Sequence, residues 1–203
     1  LKMGNKHSDR INNLPVSATL AMAAKARELK EKGIDIIGLS LGEPDFNTPD
    51  FIKKAAKQAI DDNYNSYTPV DGYGDLKKSI CNKFKRDNGL NYETNQIVVS
   101  TGAKQSIANA IQVLVNPGDD VLLVGPYWVS YFAIVMLAEG NPIEIRSDIS
   151  SDFKITPLQL ENSITKKTKL VIINSPNNPS GSVYTEKEFL ELSKVLEKYP
   201  EIY

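Results

Sequence analysis

Cysteine and histidine each occur once in this chain of 203 residues, and each scarcity removes a class of chemistry. A single cysteine, Cys81, cannot close an internal disulfide. It falls beside the apolar face of an expected helix, with no histidine or second cysteine spaced as a ligand or base, so it reads as a packing residue. The lone histidine, His7, sits in a polar amino-terminal segment and reads as a solvated side chain; no metal site is expected. Neither sign of charge dominates, because 24 Lys and Arg face 25 Asp and Glu for a formal net charge of -1. Nothing in that balance favours a polyanion, so nucleic acid is not an expected partner. The pairs Lys53-Lys54 and Lys166-Lys167 are interspersed with acids and read as solvated faces. No continuous apolar run approaches the ~20 residues of a membrane helix, and no membrane association is expected. Leu1 to Ser8 lacks the apolar core of a signal peptide, which makes a cytoplasmic location the expectation. The absence of an initiator methionine suggests that residues precede Leu1.

What is present is an alternation of helical and extended patterns. At 41% hydrophobic residues the chain can bury a sizeable core. Ser17 is placed to cap an alanine-rich helix running to about Lys32, with Gly33 as its stop, and Ile34 to Leu41 then reads as an extended apolar segment. Thr48-Pro49 predicts a cap followed by proline at the first helical position. After Gly74 the positions Leu76, Ile80 and Phe84 share one helical face that stops near Gly89. From there the alternation is strict: strand Gln96 to Ser100, helix Gln105 to Val115, a Pro117-Gly118-Asp119 turn, strand Val121 to Val124, helix near Ser130 to Ala138, strand Pro142 to Ile145. Thr156-Pro157-Leu158-Gln159 and Thr185-Glu186-Lys187-Glu188 fit capping boxes opening two more helices, with strand Lys169 to Asn174 between them. Glu201-Ile202-Tyr203 stands where a further strand would begin.

Two loops carry chemistry. In Ile172-Ile173-Asn174-Ser175-Pro176-Asn177-Asn178-Pro179-Ser180-Gly181, the prolines at 176 and 179 fix φ and remove two backbone donors, and the asparagine side chains between them are expected to be held out as donors and acceptors. A tight Asx-type turn would give the same run. In Ile97-Val98-Val99-Ser100-Thr101-Gly102-Ala103-Lys104-Gln105, a β-branched segment passes through small residues into a helix. Such a helix N-terminus offers N–H groups and partial positive charge to an anion, although many such turns carry glycine for steric reasons alone. The glycine spacings of a Walker loop or a dinucleotide fingerprint are absent.

These loops occur in one chain with Pro15-Val16-Ser17-Ala18-Thr19, Gly42-Glu43-Pro44-Asp45-Phe46, Tyr67-Thr68-Pro69, Gly72-Tyr73 and Pro126-Tyr127-Trp128-Val129-Ser130-Tyr131. In that order and combination the chain resembles the fold-type I aminotransferases that use pyridoxal phosphate, and within them the bacterial-type aspartate aminotransferases of class I. Ser180 stands where many relatives carry threonine. The resemblance implies an α/β fold, the three-layer α/β/α large domain with a mostly parallel sheet, incomplete at the C-terminus. It also implies that 1–46 form an N-terminal arm and part of a small domain, and that 47–203 form the first part of the cofactor-binding domain.

By the same resemblance the cofactor is pyridoxal 5'-phosphate, held by Gly102, Ala103 and Lys104 at the phosphate side, by Trp128 stacked on the ring, and by Asn178 at the ring's phenolic oxygen. Tyr67 would reach the cofactor of a partner subunit, which implies a homodimer with shared sites. Gly42, Trp128, Asn178, Lys104, Ser17 and Thr19 would meet an amino acid such as aspartate, with 2-oxoglutarate as the amino acceptor. The Schiff-base lysine of the family falls beyond Tyr203, so no catalytic residue is expected within the chain, which is expected to be inactive and poorly soluble alone. Aromatic or prephenate aminotransferases, lyases with the same cofactor, and ligand-sensing regulators share these loops.

Overall fold

The computed structural model describes residues 7–39, 42 and 44–203, apart from the side chain of Ala18. Leu1 to Lys6 of the amino-terminal segment, Ser40 and Leu41 of the expected extended stretch, and Glu43 of the Gly-Glu-Pro-Asp-Phe motif lie outside the described residues. The chain divides into two compact units, Val16–Thr101 and Leu1–Pro15 with Gly102–Tyr203.

In the second of these, the short helix α1 spans Asp9–Asn12. Among the described residues, the Val16–Thr101 unit carries three α-helices. Helix α2, Ala18–Glu31, begins at Ser17, whose Oγ accepts the Leu20 N–H at 3.4 Å. Helix α3, Asp50–Asp61, starts one residue later than expected: Pro49, without an N–H to give, stands at the cap itself. Helix α4, Gly74–Asn88, ends at Gly89 with φ +68°, a left-handed stop that a Cβ would oppose. Residues Ile34 to Leu39 and Ile97 to Ser100 carry no regular secondary structure and join no sheet among the described residues, so the strand expected at Gln96 to Ser100 is not formed there. Gln96 instead closes a 3-10 turn, Thr94–Gln96. A β-branched run favours an extended backbone, whereas a ladder needs a partner strand.

The sheet belongs to the unit containing Gly102–Tyr203. Helix α5 spans Ala103–Leu114, strand β1 Asp120–Val124, helix α6 Ser130–Leu137, strand β2 Asn141–Ile145, helix α7 Pro157–Ser163, strand β3 Thr168–Ile172 and helix α8 Glu186–Leu196. All pairings are parallel, in the order β2-β1-β3. Tyr203 adds one more parallel rung on β3: its N–H donates to Lys169 O at 3.1 Å and its carbonyl accepts from Val171 N–H at 2.9 Å. A further strand was expected to begin there.

Strand β1 is buried along its whole length, and its period of two sorts the core into two layers. Val121 and Leu123 pack with Ile111 of α5, with Val115 just after it, and with Tyr131, Ile134 and Val135 of α6. Leu122 and Val124 pack with Ile145, Ile155, Leu160 of α7, Tyr184, and Leu192 and Val195 of α8. The result is the expected three-layer α/β/α arrangement. Each fully buried aliphatic side chain contributes about 1.5–3 kcal/mol. Both capping boxes form: Thr156 and Gln159 exchange bonds at the start of α7, and Thr185 and Glu188 do so at the start of α8. At the amino end of the sheet the buried Asp120 carboxylate accepts from Asn141 Nδ2 at 2.8 Å and from Thr165 Oγ1 at 2.7 Å.

Candidate functional site

The strand order creates an opening at the carboxyl edge of the sheet. The loop leaving β1 feeds α6 on one face, and the loop leaving the adjacent β3 feeds α8 on the other. Neighbouring loops that diverge in this way leave a crevice, the place where open α/β sheets take ligands. The β1 loop contains Trp128 and the β3 loop contains Asn174 to Gly181. Asn177 Nδ2 donates to Pro126 O at 3.0 Å and ties the two loops together.

Inside the β3 loop the prolines at 176 and 179 supply no N–H, and asparagine side chains take over the turn. Asn174 Oδ1 accepts the Asn178 N–H at 2.8 Å. Asn177 Oδ1 accepts the Ser180 N–H at 3.1 Å, and Asn177 N–H donates to Ser182 O at 2.9 Å. Ser175 Oγ accepts the Tyr184 N–H at 3.0 Å. The expectation that the asparagines between the prolines are held out is therefore corrected for Asn177. Asn174 and Asn177 are the nearest acceptors for loop amides that no ladder satisfies, so they turn inward. Asn178 is exposed, and among the described residues its carboxamide has no hydrogen-bond partner.

Helix α5 begins at Gly102, with φ +80°, no side-chain cap, and no atom within 4 Å of the place a Cβ would occupy. The first-turn amides of Ala103 and Lys104 have no intrahelical acceptor by geometry, and the missing Cβ leaves their approach open. Lys104 reaches from this turn to Trp128, with Nζ 5.0 Å from the ring centroid, a cation–π contact. The indole is half-buried against the α5 and α6 layer and meets the Tyr131 ring edge-on at 5.6 Å. Burial holds the Tyr131 phenol above its ordinary pKa, and burial followed by the nearby Glu144 carboxylate does the same for Tyr127. Both therefore stay neutral. The crevice thus combines amide donors and a cation for an anion, a flat apolar face, and one free carboxamide.

The structure gathers Gly102, Ala103, Lys104, Trp128 and Asn178 in this one unit. Ser17, Thr19, Gly42 and Tyr67 lie in the other. Ser17 spends a lone pair on capping α2, although its hydroxyl proton remains available. Thr19 is half-buried in the first turn of α2, and Gly42 is exposed. Tyr67 is fully exposed, at 107% of its reference area. Sequence reasoning missed Asn177 as the tie between loops, Asn174 as the anchor of Asn178, and Tyr131 against Trp128. The alternation of proline and asparagine was the one signal pointing to the first two.

Residues 34–203 match the sequence profile of the aminotransferase class I and II family. The aspartate/prephenate aminotransferase of Cereibacter sphaeroides is 49% identical over 196 residues, which are 97% of this chain and 49% of that protein. The aspartate aminotransferase of Bacillus sp. is 50% identical over 93% of this chain and 48% of its own length. The crystal structure of the aspartate aminotransferase from Rhizobium meliloti superposes with a TM-score of 0.94 at 44% identity, covering 98% of this chain and 50% of that one. The alanine aminotransferase from Pyrococcus furiosus gives 0.91 at 30% identity, covering 96% of this chain and 50% of that one. The chain thus spans about half the length of these relatives. Among the described residues no helix is long and apolar enough to cross a membrane. By its sequence and its fold alike, the chain belongs to the class I and II aminotransferases.

Proposed function

We propose that this chain is the amino-terminal part of a pyridoxal-phosphate aminotransferase that moves an amino group between L-aspartate and 2-oxoglutarate. One observation carries the proposal: the open first turn of α5, the Trp128 face and the free Asn178 carboxamide share the carboxyl edge of one sheet. That set fits the cofactor's chemistry. The α5 amides of Ala103 and Lys104 suit a phosphate dianion, the indole covers a flat ring, and Asn178 Nδ2 donates to a phenolic oxygen. When bound, pyridoxal phosphate supplies the electron sink for amino transfer. The chain's own residues orient that group, exclude water from one ring face and hold charge at its oxygens. No lysine within 1–203 is assigned a covalent role.

The amino acid is supported by relatives named for aspartate and by Lys104, a cation at the mouth of the crevice that suits a side-chain carboxylate. Ser17 and Thr19 would add hydroxyls and Gly42 a close backbone approach. A second substrate class, prephenate, is favoured by the names of several relatives at 48–49% identity. We further read the protein as a cytoplasmic homodimer in which the fully exposed Tyr67 serves a partner's site. In this reading, 1–46 form the arm and part of a small domain, and 47–203 the start of the large domain. The test is a visible absorbance spectrum of the full-length protein with pyridoxal phosphate. Aspartate alone should abolish the bound cofactor's visible band, and 2-oxoglutarate should restore it. A band indifferent to aspartate overturns the substrate; no band overturns the cofactor.

A further inference from the structure

After the 3-10 segment Ile149–Ser151, two consecutive non-glycine residues occupy the left-handed region, Asp152 at φ +53° and Phe153 at φ +54°. Such backbone persists where its surroundings over-determine it. Here the Asp152 carboxylate is an anchor: Oδ2 lies 3.3 Å from Lys154 Nζ, and Oδ1 accepts the Ser182 hydroxyl at 3.4 Å. Lys154 is only 17% exposed and is also gripped by Glu188 at 3.2 Å. The Glu188 carboxylate, followed by Asp152, holds the lysine's pKa above its ordinary value.

Ser182 is buried and stands between this turn and the asparagine loop. Counting protons gives the network a direction. A carboxylate can only accept and a serine hydroxyl has one proton, so Ser182 gives its hydroxyl proton to Asp152, while its backbone N–H donates to Ser180 Oγ at 3.2 Å. That leaves the Ser180 hydroxyl proton for Asn177 Oδ1 at 3.0 Å, and the Ser180 N–H donates to that same oxygen. With Oδ1 so fixed, Asn177 must aim Nδ2 at Pro126 O. The run from Lys154 to Pro126 therefore crosses from the turn to the carboxyl end of β1.

We propose that Asp152 is a positioning residue for the crevice: through Ser182 and Ser180 it fixes the Asn177 amide, and with it the adjoining Asn178 carboxamide. Only the cofactor-affinity readout rests on the proposed function. In the full-length protein, Asp152→Gly removes the carboxylate yet suits the left-handed backbone, whereas Asp152→Asn keeps both an acceptor oxygen and that backbone preference. In Asp152→Gly, relief of the left-handed backbone should offset most of the lost contacts, so the variant's global melting should change little. Its amides at 177–182 should nevertheless exchange with deuterium about fivefold faster, and the Kd for pyridoxal phosphate should rise about fivefold, the weight of one modest hydrogen bond. Asp152→Asn should restore both to within about twofold. Unchanged exchange at 177–182, exchange raised equally along the whole chain, or no recovery in Asp152→Asn would each overturn the proposal. If wild type fails to bind the cofactor, the functional assignment falls and the exchange comparison still decides this one.

Discussion

Asn177 Nδ2 donates to the carbonyl of Pro126 at 3.0 Å, a bond between residues 51 positions apart that joins the loops leaving β1 and β3. The loops head to opposite faces of the sheet, so without a tie each would be positioned only by its own strand. The tie makes Trp128 and Asn178, one on each loop, parts of a single frame. Rigid placement of this kind is what a site needs if its donors are to meet a ligand without reorganising.

Asn177→Asp tests that frame directly. The variant keeps an oxygen for the Ser180 N–H but turns a second oxygen, in place of the donor, toward the Pro126 carbonyl. Urea unfolding of the full-length protein should show a loss of about 1–3 kcal/mol, the cost of a broken and unfavourably replaced polar contact. The Kd for pyridoxal phosphate should rise about tenfold, corresponding to roughly 1.4 kcal/mol.

The amino end of the sheet should behave differently. Asp120 satisfies Asn141 and Thr165 from a buried position far along β1 from the crevice. Asp120→Ala leaves both donors without their acceptor and should cost about 3 kcal/mol in the same unfolding measurement. Cofactor affinity should be unchanged, since the carboxyl edge of the sheet carries the ligand.

Two glycines near β1 and β2 give a packing contrast. A Cβ on Gly140 would lie 2.7 Å from Val115 Cγ1 and 3.2 Å from Val135 Cγ1, both in the core. A Cβ on Gly125 would lie 2.8 Å from Glu144 Oε1, the end of an exposed side chain that can swing away. Gly140→Ala should therefore destabilise by about 1–3 kcal/mol, the usual range for overpacking. Gly125→Ala should cost clearly less in parallel thermal melts.

Local signals were the ones legible in the sequence. The capping boxes at Thr156 and Thr185 span three residues, so residue type and spacing suffice, and both form. The left-handed stop at Gly89 is likewise a single-residue property. The segment Gln96 to Ser100 failed as a strand because pairing depends on a partner elsewhere in the chain; Val98 is 68% exposed in its unit. In the candidate site, Gly102, Trp128 and Asn178 were expected from motif and resemblance. The roles of Asn177 and Asp152 were not, because their partners stand 51 and 30 positions away with no periodic pattern to mark them.

Glu188 should shape the acid limb of stability. Its carboxylate accepts the Thr185 N–H at 2.6 Å and the Thr185 hydroxyl at 2.9 Å, and it pairs with Lys154. These contacts, the Thr185 bonds first, hold its pKa below the ordinary glutamate range. A group depressed in this way contributes stability that is fully present above its unfolded pKa and is lost as pH falls through its folded one. Glu188→Gln, which keeps an oxygen for Thr185, should lower the melting temperature near neutrality. That difference from wild type should shrink between about pH 5 and about pH 2 as the native carboxyl protonates. A gap independent of pH would show that charge has no part in it.

Lys104 separates the substrate assignment from a purely structural role. Its ammonium lies over the Trp128 ring, a contact that a lysine can make with no substrate carboxylate anywhere near. Lys104→Gln retains length and polarity but removes the charge. If the lysine receives the side-chain carboxylate of aspartate, the full-length variant should lose about 10–100-fold in kcat/KM for aspartate, the weight of a charge-assisted hydrogen bond. An uncharged amino acid such as alanine should lose little, so the ratio of the two kcat/KM values moves. If Lys104 serves only to brace the indole, both amino acids should lose the same factor, since a displaced Trp128 disturbs the cofactor and not the choice of substrate.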